Sequence, residues 1–240
     1  MHNSYEIKEG AIFISDAHEN SNKDHFYKFL KDVKNDRYEF SQIFLMGDIF
    51  DFLSFTEYSK KFYQKEIDLL NELSRTNEIY YFEGNHDYNI SGVFPNIKVF
   101  DIQNQPVRFK TKIGKDVSMA HGDIFLPPIT KYILLFLRNR TFLKFMNFLD
   151  KITNFKITKS ILKHQKDKEL YKEMNNFEEF AKYRLSKHKA EYVIEGHYHQ
   201  DKVVEFNDMI YFNLNSYAVT DKIYQAKFKK NRLFLENIKD

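Results

Sequence analysis

Short, nearly continuous apolar runs alternate with longer stretches in which apolar residues recur every three or four positions. Ala11–Ile14, Gln42–Met46 and Ile79–Phe82 are of the first kind and predict strands buried on both faces. Residues 23–35 and 57–75 lie between them and predict helices, the second with Leu69, Leu70 and Leu73 along one side. This β-α-β-α-β order predicts an α/β fold that opens with parallel strands. Further strands are predicted at Ile97–Phe100, Val107–Lys110 and Val117–Ala120. The end of the chain is again strand-rich, at Tyr192–Glu195, Lys202–Phe206, Met209–Phe212, Tyr224–Phe228 and Leu233–Glu236, with Asn207-Asp208 as a hairpin turn.

Residues 127–190 interrupt the strands. Phe142, Phe145, Met146 and Leu149 have the i, i+3, i+4, i+7 spacing of one helix face, which Ile152 and Phe155 extend. Further helices are predicted over Thr158–Met174 and Phe177–Lys189. The segment opens after Pro127-Pro128 and closes before the Tyr192 strand, so it reads as a helical insertion in a single domain spanning residues 1–240. Charge sets it apart. The net +3 hides a segment that holds 15 of the 37 Lys and Arg but 6 of the 34 Asp and Glu, leaving 22 basic and 28 acidic residues elsewhere. A basic, apolar insertion on an acidic body has two readings. Its stripe packs on the protein's own core, or part of it lines an acyl-chain groove or lies on an anionic membrane surface. Arg138, Arg140, Lys159 and Lys163 are candidates for phosphate or headgroup contacts, and solvated helix faces explain them equally well. Nucleic-acid binding is disfavoured because this charge is mixed with phenylalanines and the body is acidic.

Composition narrows the class. With 25 Phe and 16 Tyr against 7 Gly and 4 Pro, the chain is aromatic-rich with few linkers, and it has no internal repeat. The absence of Cys excludes disulfides and thiolate metal sites and fits a reducing cytoplasm. Met1 to Glu6 lacks the basic-then-apolar order of a secretion signal. The longest apolar run, Tyr132 to Leu137, is far short of the roughly 20 residues that span a bilayer. A soluble, cytoplasmic chain is expected.

The candidate chemistry lies in five blocks, each after a predicted strand: Asp16-Ala17-His18, Gly47-Asp48-Ile49-Phe50-Asp51, Gly84-Asn85-His86-Asp87, His121-Gly122-Asp123 and Gly196-His197-Tyr198-His199. Strand ends of one sheet share a rim, so donors far apart in sequence can converge there. Two divalent ions about 3.5–4 Å apart need a carboxylate that touches both, together with neutral donors, and they serve phosphate ester chemistry by activating water and polarising phosphoryl oxygens. Asp48 is the candidate bridge. Asp16 and His18, two apart on an extended segment, are expected to project the same way, as are His197 and His199. Asn85 offers a carbonyl oxygen and His121 a ring nitrogen, while Gly47, Gly84, Gly122 and Gly196 permit the tight turns. Asp51 and Asp123 either orient ligand histidines or are turn acids. His2, His25, His164 and His188 fall outside the blocks and are expected at the surface.

The ordered series Asp-x-His, Gly-Asp-x-x-Asp, Gly-Asn-His-Asp, His-Gly-Asp, Gly-His-x-His resembles the calcineurin-like metallophosphoesterase superfamily from Asp16 to His199. The resemblance implies a four-layer sandwich of two mixed β-sheets flanked by helices, with metals at the carboxyl ends of the central strands. It implies one ion on Asp16, His18, Asp48 and His199 and a second on Asp48, Asn85, His121 and His197. It further implies that His86 touches the substrate phosphate or protonates the leaving group, with Asp87 orienting its imidazole. Mn is the metal implied, and the N/O donors are also consistent with Fe or Zn. The inserted helices resemble those of the UDP-2,3-diacylglucosamine pyrophosphatases of lipid A biosynthesis. That implies hydrolysis of UDP-2,3-diacylglucosamine to UMP and the acylated glucosamine 1-phosphate, peripherally on the cytoplasmic face of the inner membrane. The chain departs from those enzymes at His86, where they carry Arg, and at Asn215-Ser216-Tyr217, where they carry Gly-Asp-Trp. The alternatives are a soluble metallophosphoesterase acting on a nucleotide or phosphoprotein, and a binding scaffold without catalysis.

Overall fold

The computed structural model describes residues 5–166 and 168–239, so His2 lies outside the described residues. Its elements run β1 (Tyr5–Ile7), β2 (Ile12–Ile14), α1 (His25–Lys34), β3 (Ile43–Leu45), α2 (Glu57–Phe62), α3 (Gln64–Leu73), β4 (Ile79–Phe82), β5 (Lys98–Phe100), β6 (Val107–Thr111) and β7 (Asp116–Ala120). The insertion supplies α4 (Pro128–Leu137), α5 (Arg140–Ile152), α6 (Lys156–Gln165) and α7 (Phe177–His188). Then come β8 (Tyr192–Glu195), β9 (Lys202–Phe206), β10 (Met209–Asn213), α8 (Tyr217–Thr220), β11 (Tyr224–Lys229) and β12 (Arg232–Asn237).

The strands form two six-stranded mixed sheets, ordered β1-β6-β7-β8-β10-β9 and β12-β11-β2-β3-β4-β5. In the second, β2, β3, β4 and β5 are parallel neighbours; in the first, β7, β8 and β10 are. Alternation along each strand explains the layers. Ile12, Ile14, Ile43, Leu45, Ile79 and Tyr81 pack with Phe29, Leu30, Ile67 and Leu70 of α1 and α3. The intervening Phe13, Phe44, Tyr80 and Phe82 face Val107, Phe109, Val117, Met119 and Ile194 of the other sheet. Outside that sheet, Val193 and Tyr211 meet Phe177, Ala181 and Leu185 of α7. Burial on both faces is why these strands read as continuous apolar runs.

The phenylalanine count has a specific use here. Across the parallel strands the rings of Phe13, Phe44 and Tyr80 stack face to face, with centroids 4.6 and 4.8 Å apart. Phe109 of the opposing sheet sets its ring edge-on to Phe44 and Tyr80. Offset stacks and edge-to-face pairs are the favoured aromatic geometries, so the two sheets are keyed together as well as buried.

Several expectations are corrected. Strand β1 was not foreseen. The predicted helix over 57–75 breaks at Tyr63, whose buried ring is anchored by its hydroxyl donating to the Glu19 carbonyl at 2.9 Å. The predicted helix over Thr158–Met174 begins at Lys156, because the Asp150 carboxylate caps the amides of Ile157 and Thr158, and it ends at Gln165. Residues 168–174 then form no regular element; Leu170, Lys172 and Met174 of this strap are hydrogen-bonded to His199 and Gln200. The stripe on α5 is turned. Leu143 and Asp150 are its buried residues, whereas Phe145 is 55 % exposed. Among the described residues, no helix is long and apolar enough to cross a membrane.

Candidate functional site

The parallel strands β2, β3 and β4 end on the same rim as β7 and β8, and each delivers one block of polar residues there. The approach is close enough to dictate glycine at two points. A Cβ on Gly84 would collide with the Asp48 carboxylate, and Gly47 has a φ of +89° with His121 against its α-carbon.

The route to convergence differs from the extended-segment expectation. Asp16, His18, Asp48, His197 and His199 all adopt left-handed backbone angles, with φ between 45° and 62°. Such angles are uncommon in residues other than glycine and cluster where a site is built. The two pairs also behave differently from each other. Asp16 and His18 do meet, in one group with His199. His197 instead joins Asp48 and His121, so His197 and His199 point to different places. In each group the donor atoms lie within 4.8 Å of one another.

The histidine tautomers are set from behind. Nδ1 of His18 lies 3.0 Å from Asp51 Oδ1, Nδ1 of His121 donates to the Met46 carbonyl at 2.8 Å, and Nδ1 of His199 donates to the Leu170 carbonyl. Engaging one ring nitrogen this way leaves Nε2 facing inward, the arrangement of metal-ligating histidines. Asp51 is itself held by Asn20, which donates to it at 2.6 Å. His197 Nδ1 and His121 Nε2 converge to 3.2 Å. Burial and the neighbouring His121 push His197 down to about 4, so its ring is neutral and its lone pair available. Burial favours the neutral form of Asp48, but His121 and His86 outweigh it and hold the carboxyl well below its usual range.

Two buried oxygens make the donor set fit a pair of cations. Asn85 Oδ1 has no hydrogen-bond partner, and Asp16 Oδ1 stands 2.9 Å from His199 Nε2 without hydrogen-bond alignment. An unpaired buried acceptor costs about 1–3 kcal/mol. An ion between the inward-facing nitrogens and these oxygens would remove that cost, and two acidic residues buried together would gain their counter-charge.

His86 falls in a third group, with His18 and Asp51. Its amide donates to Asp48 Oδ1 at 2.8 Å and its Nδ1 to the Asp51 carbonyl at 2.8 Å, which turns Nε2 toward the open side. Asp87 does not orient it. The Asp87 carboxylate accepts from the amides of Asp48, Ile49 and Gly84 and from the Tyr81 hydroxyl, so it braces the Asp48 turn from beneath. Asp123 pairs with Arg138 at 2.7 Å rather than with a histidine. Arg138 also donates to the Gly84 carbonyl at 2.8 Å and is buried, so it is a strut between rim and insertion and not a headgroup contact. His188, expected at the surface, is fully buried between Ser118 and Glu195. His25 is half-buried and pairs with Asp221, and His164 is exposed.

Two cavities meet at the rim. One of about 400 Å³ lies between the ligand groups and the strap, against Lys168, Leu170 and Met174. The second, of about 440 Å³, lies under the insertion; Phe52, Tyr88, Leu137, Phe142, Leu143, Met146, Ile157 and Ile161 line it together with the polar Asp51, Thr56, Asn147, Asp150, Thr158 and Gln165. Asn85, His86 and Lys168 line both. No local pattern in the sequence marks the strap residues Lys168, Leu170 and Met174 that line the first cavity.

The family model described as calcineurin-like phosphoesterase matches residues 11–201. Among solved structures, an archaeal phosphodiesterase is similar at 12% identity and a TM-score of 0.46, over 95% of this chain and 99% of that one. A predicted phosphoesterase from Streptococcus pneumoniae is similar at 13% identity and a TM-score of 0.42, over 95% and 88% of the two chains. A protein of unknown function from Aquifex aeolicus is similar at 13% identity and a TM-score of 0.46, over 90% and 93%. No curated protein matches the chain. With four-fifths of its length matched by the family model and the Asp/His groups gathered on one rim, the chain belongs to the calcineurin-like phosphoesterases and is a metal-dependent hydrolase.

Proposed function

We propose that this hydrolase cleaves the diphosphate of an acylated sugar nucleotide, UDP-2,3-diacylglucosamine, to UMP and the acylated glucosamine 1-phosphate. The observation that carries the reading is the partly apolar cavity beneath the insertion, which shares His86, Asn85 and Lys168 with the cavity over the ligand groups. A substrate whose phosphates sit on the rim has its apolar portion directed between α4, α5 and α6. The apolar part of that lining, from Phe52, Tyr88, Leu137, Phe142, Leu143, Met146, Ile157 and Ile161, suits an acyl chain, which a free nucleotide does not carry.

In this reading Asp16, His18, Asp48 and His199 hold one divalent ion, and Asp48, Asn85, His121 and His197 the other, with Mn the metal of first choice. When bound, the pair supplies an activated water and charge stabilisation on the phosphoryl oxygens. The chain's own residues do the rest. His86 presents Nε2 to the phosphate, where it offsets developing charge or passes a proton to the departing oxygen. Lys168 places a cation at the mouth shared by the two cavities. Water adds across the P–O–P bridge; its oxygen stays with one phosphorus, and the bridging oxygen leaves with the other.

Beyond the cavity, α4 and α5 leave Ile129, Tyr132, Ile133, Phe148 and Ile152 exposed, beside Lys131, Lys144 and Lys151. This face supports peripheral contact with an anionic lipid surface, where an acylated substrate resides.

Release of UMP from UDP-2,3-diacylglucosamine in the presence of Mn tests the proposal. The reading expects UMP and the acylated sugar phosphate in equal amounts, and little turnover of UDP-glucosamine lacking acyl chains. Equal turnover of the unacylated compound, or faster cleavage of a phosphopeptide, would overturn it in favour of a soluble phosphoesterase.

A further inference from the structure

Arg184 lies on α7, inside the basic insertion, yet it is almost completely buried. All of its polar contacts run inward. Nε donates to Glu195 Oε2 at 2.8 Å, and one terminal nitrogen donates to Glu195 Oε1 and, at 3.2 Å, to the Gly122 carbonyl. The other terminal nitrogen donates to the Ile124 carbonyl at 2.7 Å.

These partners sit on the loop after β7 and at the end of β8. Gly122 and Ile124 follow His121 out of β7, and Glu195 ends β8 immediately before Gly196-His197. The parallel ladder between β7 and β8 ends at the Ala120–Glu195 pair, and one more bond, from the Gly196 amide to the His121 carbonyl at 2.8 Å, carries it a step further. Past that point the ladder stops; the Tyr198 hydroxyl donates to the Gly122 carbonyl at 3.1 Å, the same carbonyl that Arg184 reaches, and a Cβ on Gly122 would lie 2.8 Å from that of His197.

Glu195 is held from the other side as well. The Tyr211 hydroxyl donates to it at 2.8 Å, and His188 Nε2 lies 2.9 Å away.

Attachment of α7 does not require the ion pair. Phe177, Ala181 and Leu185 already bury this helix against Val193 and Tyr211. A buried ion pair is seldom more stabilising than well-packed apolar residues of the same volume, so holding the helix down is a weak reason for it. A planar fork that grips a carboxylate and two carbonyls at once is what a guanidinium provides and an ammonium cannot.

We propose that Arg184 is a positioning residue for the second ion's two histidines: its guanidinium clamps the loop carrying His121 to the loop carrying His197, so that their ring nitrogens are set 3.2 Å apart before an ion binds. The inference rests on the two-ion reading above.

The test is Mn titration of the full chain by calorimetry, with electron paramagnetic resonance of the spin-coupled Mn pair as the second readout. Arg184→Lys and Arg184→Met are compared with Leu185→Ala, a core change on the same helix. In the Arg184 variants the second ion is expected to bind about 10–100-fold more weakly, and the coupled signal to give way to that of isolated Mn. Leu185→Ala is expected to melt at a lower temperature yet keep both ions. If wild-type protein and both Arg184 variants take two ions with equal affinity, or if Leu185→Ala loosens the second ion as much as they do, the clamp is wrong and the two-ion reading stands. If wild-type protein takes only one ion, both fall together.

Discussion

His199 and Leu170 are joined by a hydrogen bond from the imidazole Nδ1 to the backbone carbonyl. One of these residues belongs to the Asp16, His18 and His199 group, which could hold a metal ion, and the other to the strap. Gln200 extends the link, donating to the Lys172 carbonyl at 2.9 Å and accepting from the Met174 amide at 2.9 Å. Anything that fixes His199 therefore also fixes the strap. Trypsin cleavage after Lys168 and Lys172 is expected to slow several-fold when Mn is added, because proteolysis follows the opened population. Cleavage at the same rate with and without metal would separate the strap from the site.

His86 presents Nε2 to the open side while its other polar atoms are engaged. His86→Ala is expected to lower kcat by about 100- to 10,000-fold, the range for a lost general acid or charge-stabilising group, with both ions retained. Loss of an ion in that variant would make His86 a ligand instead.

Buried acids set the pH dependence of stability. Burial raises Glu19 to about 8 and Glu83 to about 7 from the ordinary value of 4.5. An acid whose folded pKa is raised contributes stability that is present below its unfolded pKa and lost as pH rises through the folded value. Glu195, brought down to about 2, has the opposite sign, and its contribution is lost as pH falls from 4.5 toward 2. Metal-free protein should thus be most stable near pH 5 and lose on the order of a few kcal/mol by pH 8. Glu83→Gln should flatten the alkaline limb in a series of thermal melts. An unchanged slope in that variant would remove Glu83 from the account.

The exposed face of α4 and α5 yields a binding prediction. Ile133 is 55 % and Phe148 59 % exposed, and lysines flank both. Sedimentation should show more protein on anionic than on neutral vesicles, with the difference shrinking as salt rises. Ile133→Glu should weaken binding about tenfold or more, from the loss of about 1.5–3 kcal/mol of apolar burial. Equal binding to both vesicle types would assign this face to another partner.

The fold was legible where burial is two-sided. Phe13, Phe44 and Tyr80 lie in apolar runs because one face meets helices and the other a second sheet. The gathering of the five polar blocks on one rim was legible because adjacent polar groups at strand ends serve packing poorly. Three features were not. The left-handed turns at Asp16 and His199 come from tertiary closure of the rim, which alternation along a strand cannot anticipate. His188 and Arg184 look like surface residues of a charged helix until sheet and loops close over them. Asp87 follows His86 in sequence, but its acceptor oxygens meet the backbone of another block, and the ring of His86 finds the Asp51 carbonyl instead.

The most direct test is anomalous diffraction from crystals grown with Mn. The account predicts two peaks about 3.5–4 Å apart with the Asp48 carboxylate between them. One peak should be flanked by Asp16, His18 and His199, and the other by Asn85, His121 and His197. A single peak, or none between these groups at saturating Mn, would contradict it.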